Sequence, residues 1–168
     1  LGEEKARHRG LAAATAFLDS LKDNDLLTGW VGPHAFFVDN SIAAMELEKE
    51  LAERFGAGFH THFGTGEEEN DHCRKEYGHS ALTQLNAMGF LEYPIIAAHS
   101  IAIPLDNLPL VKDKPFTVAA APSFGMRNAA GVAPLVELLE AGVNVALGTD
   151  NVTNNNSYDM FKKMALAG

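Results

Sequence analysis

Three polar side chains stand at the ends of short apolar segments, where they could take part in catalysis. His62 and His99 each close one such segment, and Asp150 follows a third. Two neutral imidazole nitrogens and one carboxylate oxygen suit zinc or iron(II), which can generate a hydroxide nucleophile near neutral pH. Each residue alone has an ordinary explanation, either a hydrogen-bonded core histidine or an aspartate that caps a loop. Their occurrence together favours a metal-dependent reaction.

Two of the histidines are spaced so that their side chains would point to the same side of a strand. His60 and His62 are two residues apart, and residues i and i+2 of a strand point to the same side. Both imidazoles could therefore reach one metal ion, and imidazole is the commonest zinc ligand. The pair by itself is a weak signal, because buried structural histidines also occur in strands. His34 is a further candidate and follows an earlier apolar segment.

The elements that must position these residues alternate along the chain. Short apolar runs predict strands at 28–32, 57–63, 95–99, 116–121 and 144–149. Amphipathic spacing predicts helices at 3–22, 41–55, 71–88 and 132–140, a short one near 104–112, and a last one from about 156. Continuous apolar strands are typical of a parallel sheet buried on both faces, so we expect an α/β fold with sites at the carboxyl ends of the strands. The candidates would then lie at one end of three neighbouring strands.

Length and charge narrow the classes of function. The 168 residues carry 13 Lys and Arg against 22 Asp and Glu, a net charge of −9. This acidity argues against nucleic acid or an anionic membrane as the partner. No apolar run is long enough to span a bilayer, and the charged start lacks the apolar core of a signal peptide. With Cys73 as the single cysteine, we expect a cytoplasmic protein that acts on a small molecule, with a homo-oligomer left open.

Five sequence blocks, in order, resemble one family. They are Gly32-Pro33-His34, Phe59-His60-Thr61-His62, Ala97-Ala98-His99-Ser100, Gly131-Val132-Ala133-Pro134-Leu135 and Leu147-Gly148-Thr149-Asp150, the last followed by residues 154–161. Together they are similar to the amidohydrolase superfamily, most of all to its deaminase and chlorohydrolase branch, over about residues 28–168. The resemblance implies a metal-dependent (β/α)8 barrel. Because a whole barrel needs roughly 200–250 residues, it also implies that this chain is a partial barrel, about strands four to eight, behind a leading segment 1–27.

The resemblance also implies roles for the candidates. His62 matches the metal-binding histidine of barrel strand five. His99 matches the histidine of strand six, which contacts the hydrolytic water or the substrate and is a less certain metal ligand. Asp150 matches the strand-eight aspartate, which binds the metal and accepts the proton of the attacking water. His34 matches a histidine that contacts the substrate. The implied reaction is hydrolytic deamination of a nitrogen heterocycle, with zinc expected and iron as the alternative.

Three departures from the family pattern limit this expectation. The first-strand His-x-His pair is missing upstream of Gly32, so the chain alone should bind metal weakly. The glutamate three residues after the metal-binding histidine is replaced by Thr65, whose hydroxyl is no general acid near pH 7. The following residues 67–69 are glutamates, one of which a shifted loop could bring into the place of the missing one. We favour the other interpretation, that they are the solvated acidic start of a helix. At the fourth predicted strand the family often has His-Asn-Pro, where this chain has Ala120-Ala121-Pro122, with Ser123 as the remaining polar group.

Two alternatives follow from these departures. A different hydrolysis, such as dechlorination or amide cleavage, becomes more plausible without the glutamate. A non-catalytic homologue or fragment that keeps the fold for association is the other, because an open barrel edge leaves strands unpaired. Cys73, between charged residues in a predicted helix, is expected to be inert.

Overall fold

The computed structural model describes residues 2–168, with side chains for residues 9–153 and 156–168. Residue 1 of the predicted leading segment 1–27 lies outside the described residues. The helices are α1 (Gly2–Ser20), α2 (Ile42–Phe55), α3 (Glu68–Tyr77), α4 (Ala81–Ala87), α5 (Pro122–Arg127), α6 (Leu135–Glu140), α7 (Val152–Asn155) and α8 (Met160–Ala167). The strands are β1 (Phe59–Phe63), β2 (Ile95–His99), β3 (Phe116–Ala120) and β4 (Asn144–Leu147). Two 3-10 helices cover Phe90–Glu92 and Leu105–Leu110.

The four strands form one parallel sheet in the order β1-β2-β3-β4. This confirms the α/β class and the parallel sheet. The predicted strand at 28–32 is wrong as a full strand, because it makes one isolated parallel bridge, from Val31 to Phe59, and a second bridge, from Ala35 to His62, lies beyond its end. Pro33 lies between the two bridges and has no backbone N–H with which to continue a ladder.

Helix boundaries follow from capping residues. The Ser41 side chain caps α2 by accepting from the Ala44 N–H, and Gly56 ends that helix in the left-handed region at φ 61°. The predicted helix 71–88 is wrong as a single element. Gly78 ends α3 at φ 78°, and the Ser80 side chain then starts α4 by accepting from the Thr83 N–H.

The segment between the predicted strand at 116–121 and the predicted helix at 132–140 contains the helix α5. Pro122 occupies the first turn of α5, where its fixed φ suits a helix start and its missing N–H leaves no intrahelical bond unmade. Among the described residues, no helix combines the length and the apolar character that crossing a bilayer requires.

The sheet has one covered face and one more open face. On β1 the side chains of Phe59, Thr61 and Phe63 are buried, whereas His60 is exposed and His62 is partly exposed. Phe59, Phe36 and Phe90 form an aromatic cluster below this strand, with ring centroids 5.1–6.0 Å apart. Rings at these spacings add contact energy beyond their buried area, so the cluster fixes the base of β1 and the segment that carries His34.

Candidate metal centre

His62 is held in one tautomer by the backbone carbonyl of His34, in the segment before α2. Its Nδ1 lies 2.6 Å from the backbone carbonyl oxygen of His34, and its own backbone N–H donates to the same oxygen at 3.1 Å. A carbonyl oxygen only accepts, so the neutral His62 ring carries its proton on Nδ1 and keeps a free lone pair on Nε2. Metal-binding histidines are usually held by this kind of contact to the second nitrogen. As the strand period predicts, His60 and His62 share one face of β1.

Three imidazole rings form a row at the carboxyl end of the sheet. The His34 and His62 ring centroids are 4.9 Å apart, and those of His62 and His99 are 5.4 Å apart with planes only 7° from parallel. Strand alternation would put His99 on the same side as the buried Ile95 and Ala97. Its ring nevertheless stacks on His62, because the backbone of His99 turns into the left-handed region at φ 75°.

The environment of His99 favours an uncharged ring. Its side chain is buried, its Nδ1 has no hydrogen-bond partner among the described residues, and its ring lies 4.2 Å from that of Phe124. Burial lowers the pKa of His99, an effect that the Asp150 charge opposes and that His62 reinforces. A neutral imidazole with an unused nitrogen is suited to ligation or to orienting a water molecule.

Asp150 follows β4 in a left-handed turn at φ 56°, and its Oδ1 accepts the Asn151 N–H at 2.6 Å. The expectation that its strand neighbours that of His99 is wrong, because β3 lies between β2 and β4. Asp150 still acts on His99 electrostatically. Across the part of the chain that the structure describes, no three His, Cys, Asp or Glu side chains converge into a group that could hold a metal ion. The donors are thus gathered at one end of the sheet without forming a closed cage.

Asp39 is a residue that the sequence did not single out. Its carboxylate contacts His34 Nδ1 at 2.6 Å, five residues away, with both side chains largely exposed. An exposed ion pair contributes little stability, so its effect is to orient the His34 ring. The pairing depends on the turns between residues 34 and 39, which no motif in the sequence marks.

Glu69 corrects the expectation for the acidic run 67–69. Glu67 and Glu68 are exposed as predicted, but Glu69 is only 3% exposed. Its Oε2 accepts the backbone N–H of Gly64, and its Oε1 has no partner among the described residues. Burial raises the pKa of Glu69 to about 8. Glu69 is buried because the first turn of α3 faces the turn after β1, where the backbone N–H of Gly64 needs an acceptor.

A cavity of about 320 Å³ opens beside His99. Much of its lining comes from Ile101, Pro122 and residues 131–137, which include the first turn of α6. Ser123, the polar residue expected after the fourth predicted strand, is buried, and its Oγ has no hydrogen-bond partner among the described residues.

Cys73 is a free, buried thiol, and its pKa is raised to about 12, mainly by burial.

Sequence comparison identifies the class of protein. The Amidohydrolase family profile matches residues 3–168, so the chain belongs to the amidohydrolase family. The match includes the leading helix, which the five motifs did not cover. The predicted resemblance is thereby confirmed.

Among its relatives are two deaminases. The chain is 32% identical over 151 residues to a 5'-deoxyadenosine deaminase of Methanothrix thermoacetophila, covering 90% of this chain and 36% of that protein. It is 36% identical over 143 residues to a 5-methylthioadenosine/S-adenosylhomocysteine deaminase of Pelotomaculum thermopropionicum, covering 84% and 32%. The chain therefore spans about a third of the length of these relatives.

Solved structures show the same architecture. An adenosine deaminase from Xanthomonas campestris with bound zinc superposes with a TM-score of 0.84 at 28% identity, over 93% of this chain and 35% of that one. A guanine deaminase from C. acetobutylicum with bound guanine gives a TM-score of 0.83 at 19% identity, over 96% and 39%, and so supports the fold alone. The expectation of a partial barrel is confirmed.

Proposed function

We propose that this chain contributes to a metal-dependent hydrolase that deaminates a purine-like nitrogen heterocycle. The observation that carries the proposal is the fixed tautomer of His62, which leaves Nε2 available and whose ring stacks on that of His99. The buried Nδ1 of His99 has no hydrogen-bond partner among the described residues. Hydrogen-bonded core histidines would not need two unused nitrogens in stacked rings. The deaminase names of the relatives support the choice of reaction, and their adenosine-type substrates support the choice of a purine ring.

The chemistry of the donors fits a divalent ion. His62 and Asp150 would hold it, with His99 as a less certain ligand, and this mixture of imidazole and carboxylate suits zinc, with iron(II) as the alternative. The zinc in the structure of the adenosine deaminase from Xanthomonas supports zinc here. When bound, such an ion supplies the Lewis acidity that makes water nucleophilic near neutral pH.

The residues of the chain take separate roles in this proposal. Asp150 accepts the proton of the attacking water. The neutral His99 ring orients that water or stabilises the charge that develops on the substrate. His34, oriented by Asp39, contacts the substrate. The remaining ligands and the rest of the pocket would come from barrel strands beyond those in this sheet. The substrate would be a small molecule, and we expect the protein to act in the cytoplasm.

A second candidate reaction is supported by Thr65. A hydroxyl there cannot move protons to a leaving ammonia, whereas displacement of chloride needs no protonated leaving group. An atrazine chlorohydrolase from Arthrobacter aurescens shares this fold, with a TM-score of 0.72 at 21% identity. Ammonia release on a panel of purines and pyrimidines separates the two, because dechlorination produces none.

The metal assignment is tested with a matched pair of variants in the full-length protein. His62→Ala removes the proposed ligand, and His60→Ala removes an exposed imidazole from the same face of β1. We expect metal content, measured by mass spectrometry after dialysis, to fall by at least about 10-fold in His62→Ala and to stay at the wild-type level in His60→Ala. Unchanged metal in His62→Ala would overturn the assignment.

A further inference from the structure

One buried carboxyl group takes no part in the proposed reaction. Glu69 lies in the first turn of α3, almost fully buried, and accepts the backbone N–H of Gly64. Gly64 is the first residue after β1 and follows His62 by two positions. A buried carboxyl group is costly unless its oxygens are hydrogen-bonded, and Oε1 of Glu69 has no partner among the described residues, so this contact to the end of the strand that carries His62 requires an explanation.

The turn at Gly64 also packs against the loop that follows β2. Gly64 is in the left-handed region at φ 60°, and its carbonyl oxygen accepts the N–H of Ala102 at 2.8 Å. The Ser100 N–H donates to the Phe63 carbonyl oxygen at 2.9 Å. A Cβ at Gly64 would lie 3.3 Å from the nitrogen of Ile103, so the two backbones are in close contact. The strand ends that carry His62 and His99 are therefore joined just beyond those residues.

The next residue of α3 holds the second of these loops. Asn70 donates its Nδ2 to the Ala102 carbonyl oxygen at 2.8 Å and accepts the Ala81 N–H on its Oδ1 at 3.3 Å. Consecutive side chains of one helical turn thus hold two loops, Glu69 the turn after β1 and Asn70 the loop after β2. Both side chains are buried, so they have little freedom to let either loop move.

We propose that Glu69 is a positioning residue whose carboxyl group latches the turn after β1 onto α3 and thereby fixes the placement of His62 relative to His99. The inference deepens the proposed function, because these two histidines are its candidate metal-site residues. It concerns a side chain that touches neither a ligand nor the reacting atoms.

The charge state of Glu69 makes the latch dependent on pH. The groups recorded around it are Glu68 on the same helix, Asp39 in the segment before α2 and the Cys73 thiol one turn further along α3. Burial raises the pKa of Glu69 to about 8, the Gly64 N–H opposes this shift, and the carboxylates of Glu68 and Asp39 add to it. Glu69 is therefore mostly uncharged at neutral pH. Ionisation at higher pH places a charge in a buried site, and because burial outweighs the hydrogen bond from Gly64, the charged carboxylate is favoured to withdraw to solvent.

Amide hydrogen exchange in the full-length protein tests the latch. In Glu69→Ala we expect the Gly64 amide, corrected for its intrinsic rate, to exchange about 10- to 100-fold faster than in the wild type at pH 7, because its acceptor is lost. Glu69→Gln keeps an uncharged acceptor and should stay within about 3-fold of the wild type. Glu68→Gln is the matched control, since it makes the same substitution at the exposed neighbour on α3.

A pH series on the unmodified protein keeps the test independent of whether Glu69→Ala folds. Between pH 6.5 and 9.5 the Gly64 amide should lose protection relative to the Val143 amide, which donates to Leu138 far from the turn. Glu69→Gln should abolish this loss. Equal protection at both pH values, or faster exchange in Glu69→Gln than in Glu69→Ala, would overturn the proposal. The measurement needs no turnover, so a protein without deaminase activity would refute the proposed function and leave this result standing.

Discussion

Gly58→Ala tests how tightly β1 is held at its start. Gly58 precedes Phe59, whose N–H donates to the Pro94 carbonyl oxygen at 2.8 Å, and the Gly58 carbonyl oxygen accepts the Val31 N–H at 2.9 Å. A Cβ at Gly58 would lie 2.5 Å from that same Pro94 oxygen and 2.8 Å from a ring carbon of Trp30. Real Cβ contacts essentially never fall below 3.0 Å. Because the obstacle is a backbone carbonyl engaged in pairing, the strands must separate.

The expected cost combines two effects. Overpacking of a tight site costs about 1–3 kcal/mol, and weakening one backbone hydrogen bond adds about 1 kcal/mol. We therefore expect Gly58→Ala to lower the free energy of unfolding by roughly 2–4 kcal/mol. Urea unfolding followed by far-UV circular dichroism measures it. Gly32→Ala is the matched control in the neighbouring segment, since its Cβ would lie no closer than 3.7 Å to another residue beyond its chain neighbours.

The control should change stability by less than about 1 kcal/mol. Unfolding of Gly58→Ala and Gly32→Ala at the same urea concentration would refute the claim that the close packing of β1 against Pro94 stabilises the fold. Metal content provides a second reading. A displaced β1 carries His62 with it, so Gly58→Ala should bind less metal even under conditions in which it stays folded.

Further predictions concern the core and the turn of α3. Phe90→Ala removes the ring that contacts Phe36 and Phe59. It should lower the free energy of unfolding, measured by urea titration, by about 3–5 kcal/mol. A loss under about 1 kcal/mol would show that the cluster is dispensable. Asn70→Ala leaves two buried backbone groups unpaired and should cost about 1–3 kcal/mol by thermal unfolding, against no change if solvent replaces both bonds. The pKa of Glu69 is raised from 4.5 to about 8, so the folded state holds this proton more tightly than the unfolded chain. The stability that protonated Glu69 adds to the folded state is full below about pH 4.5 and declines towards pH 8 by at most about 1.4 kcal/mol per pH unit. A dependence of melting temperature on pH that Glu69→Gln leaves unaltered would contradict this.

The sequence predicts the sheet well because its signals are local. Continuous apolar runs mark β1 to β4, and the polar residues that follow them mark the carboxyl end where His62 and His99 meet. The segment before α2 misled the prediction, because a run with the composition of a strand is too short and is interrupted by Pro33. The break at Gly78 was missed because helical spacing continues across it.

The parts of the site that escaped prediction depend on contacts between distant segments. The tautomer of His62 is set by a carbonyl 28 residues away. The burial of Glu69 depends on the turn at Gly64, and a run of three glutamates ordinarily indicates a solvated helix start. The stacking of His99 on His62 requires a left-handed backbone, which residues other than glycine adopt uncommonly and which the residue type at this position does not predict. Motifs therefore predicted the candidate residues, and tertiary structure determined how their side chains are presented.

The left-handed backbones at the strand ends have a consequence for the evolution of this protein. His99, Ser100 and Asp150 have φ values of 75°, 52° and 56°, and a residue other than glycine held there costs of order 1 kcal/mol or more. Glycine would relieve that strain at each position, and at His99 and Asp150 it would also remove a side chain of the candidate site. Selection for thermostability alone should thus favour glycine at all three positions, whereas selection to keep the candidate site should oppose it at His99 and Asp150.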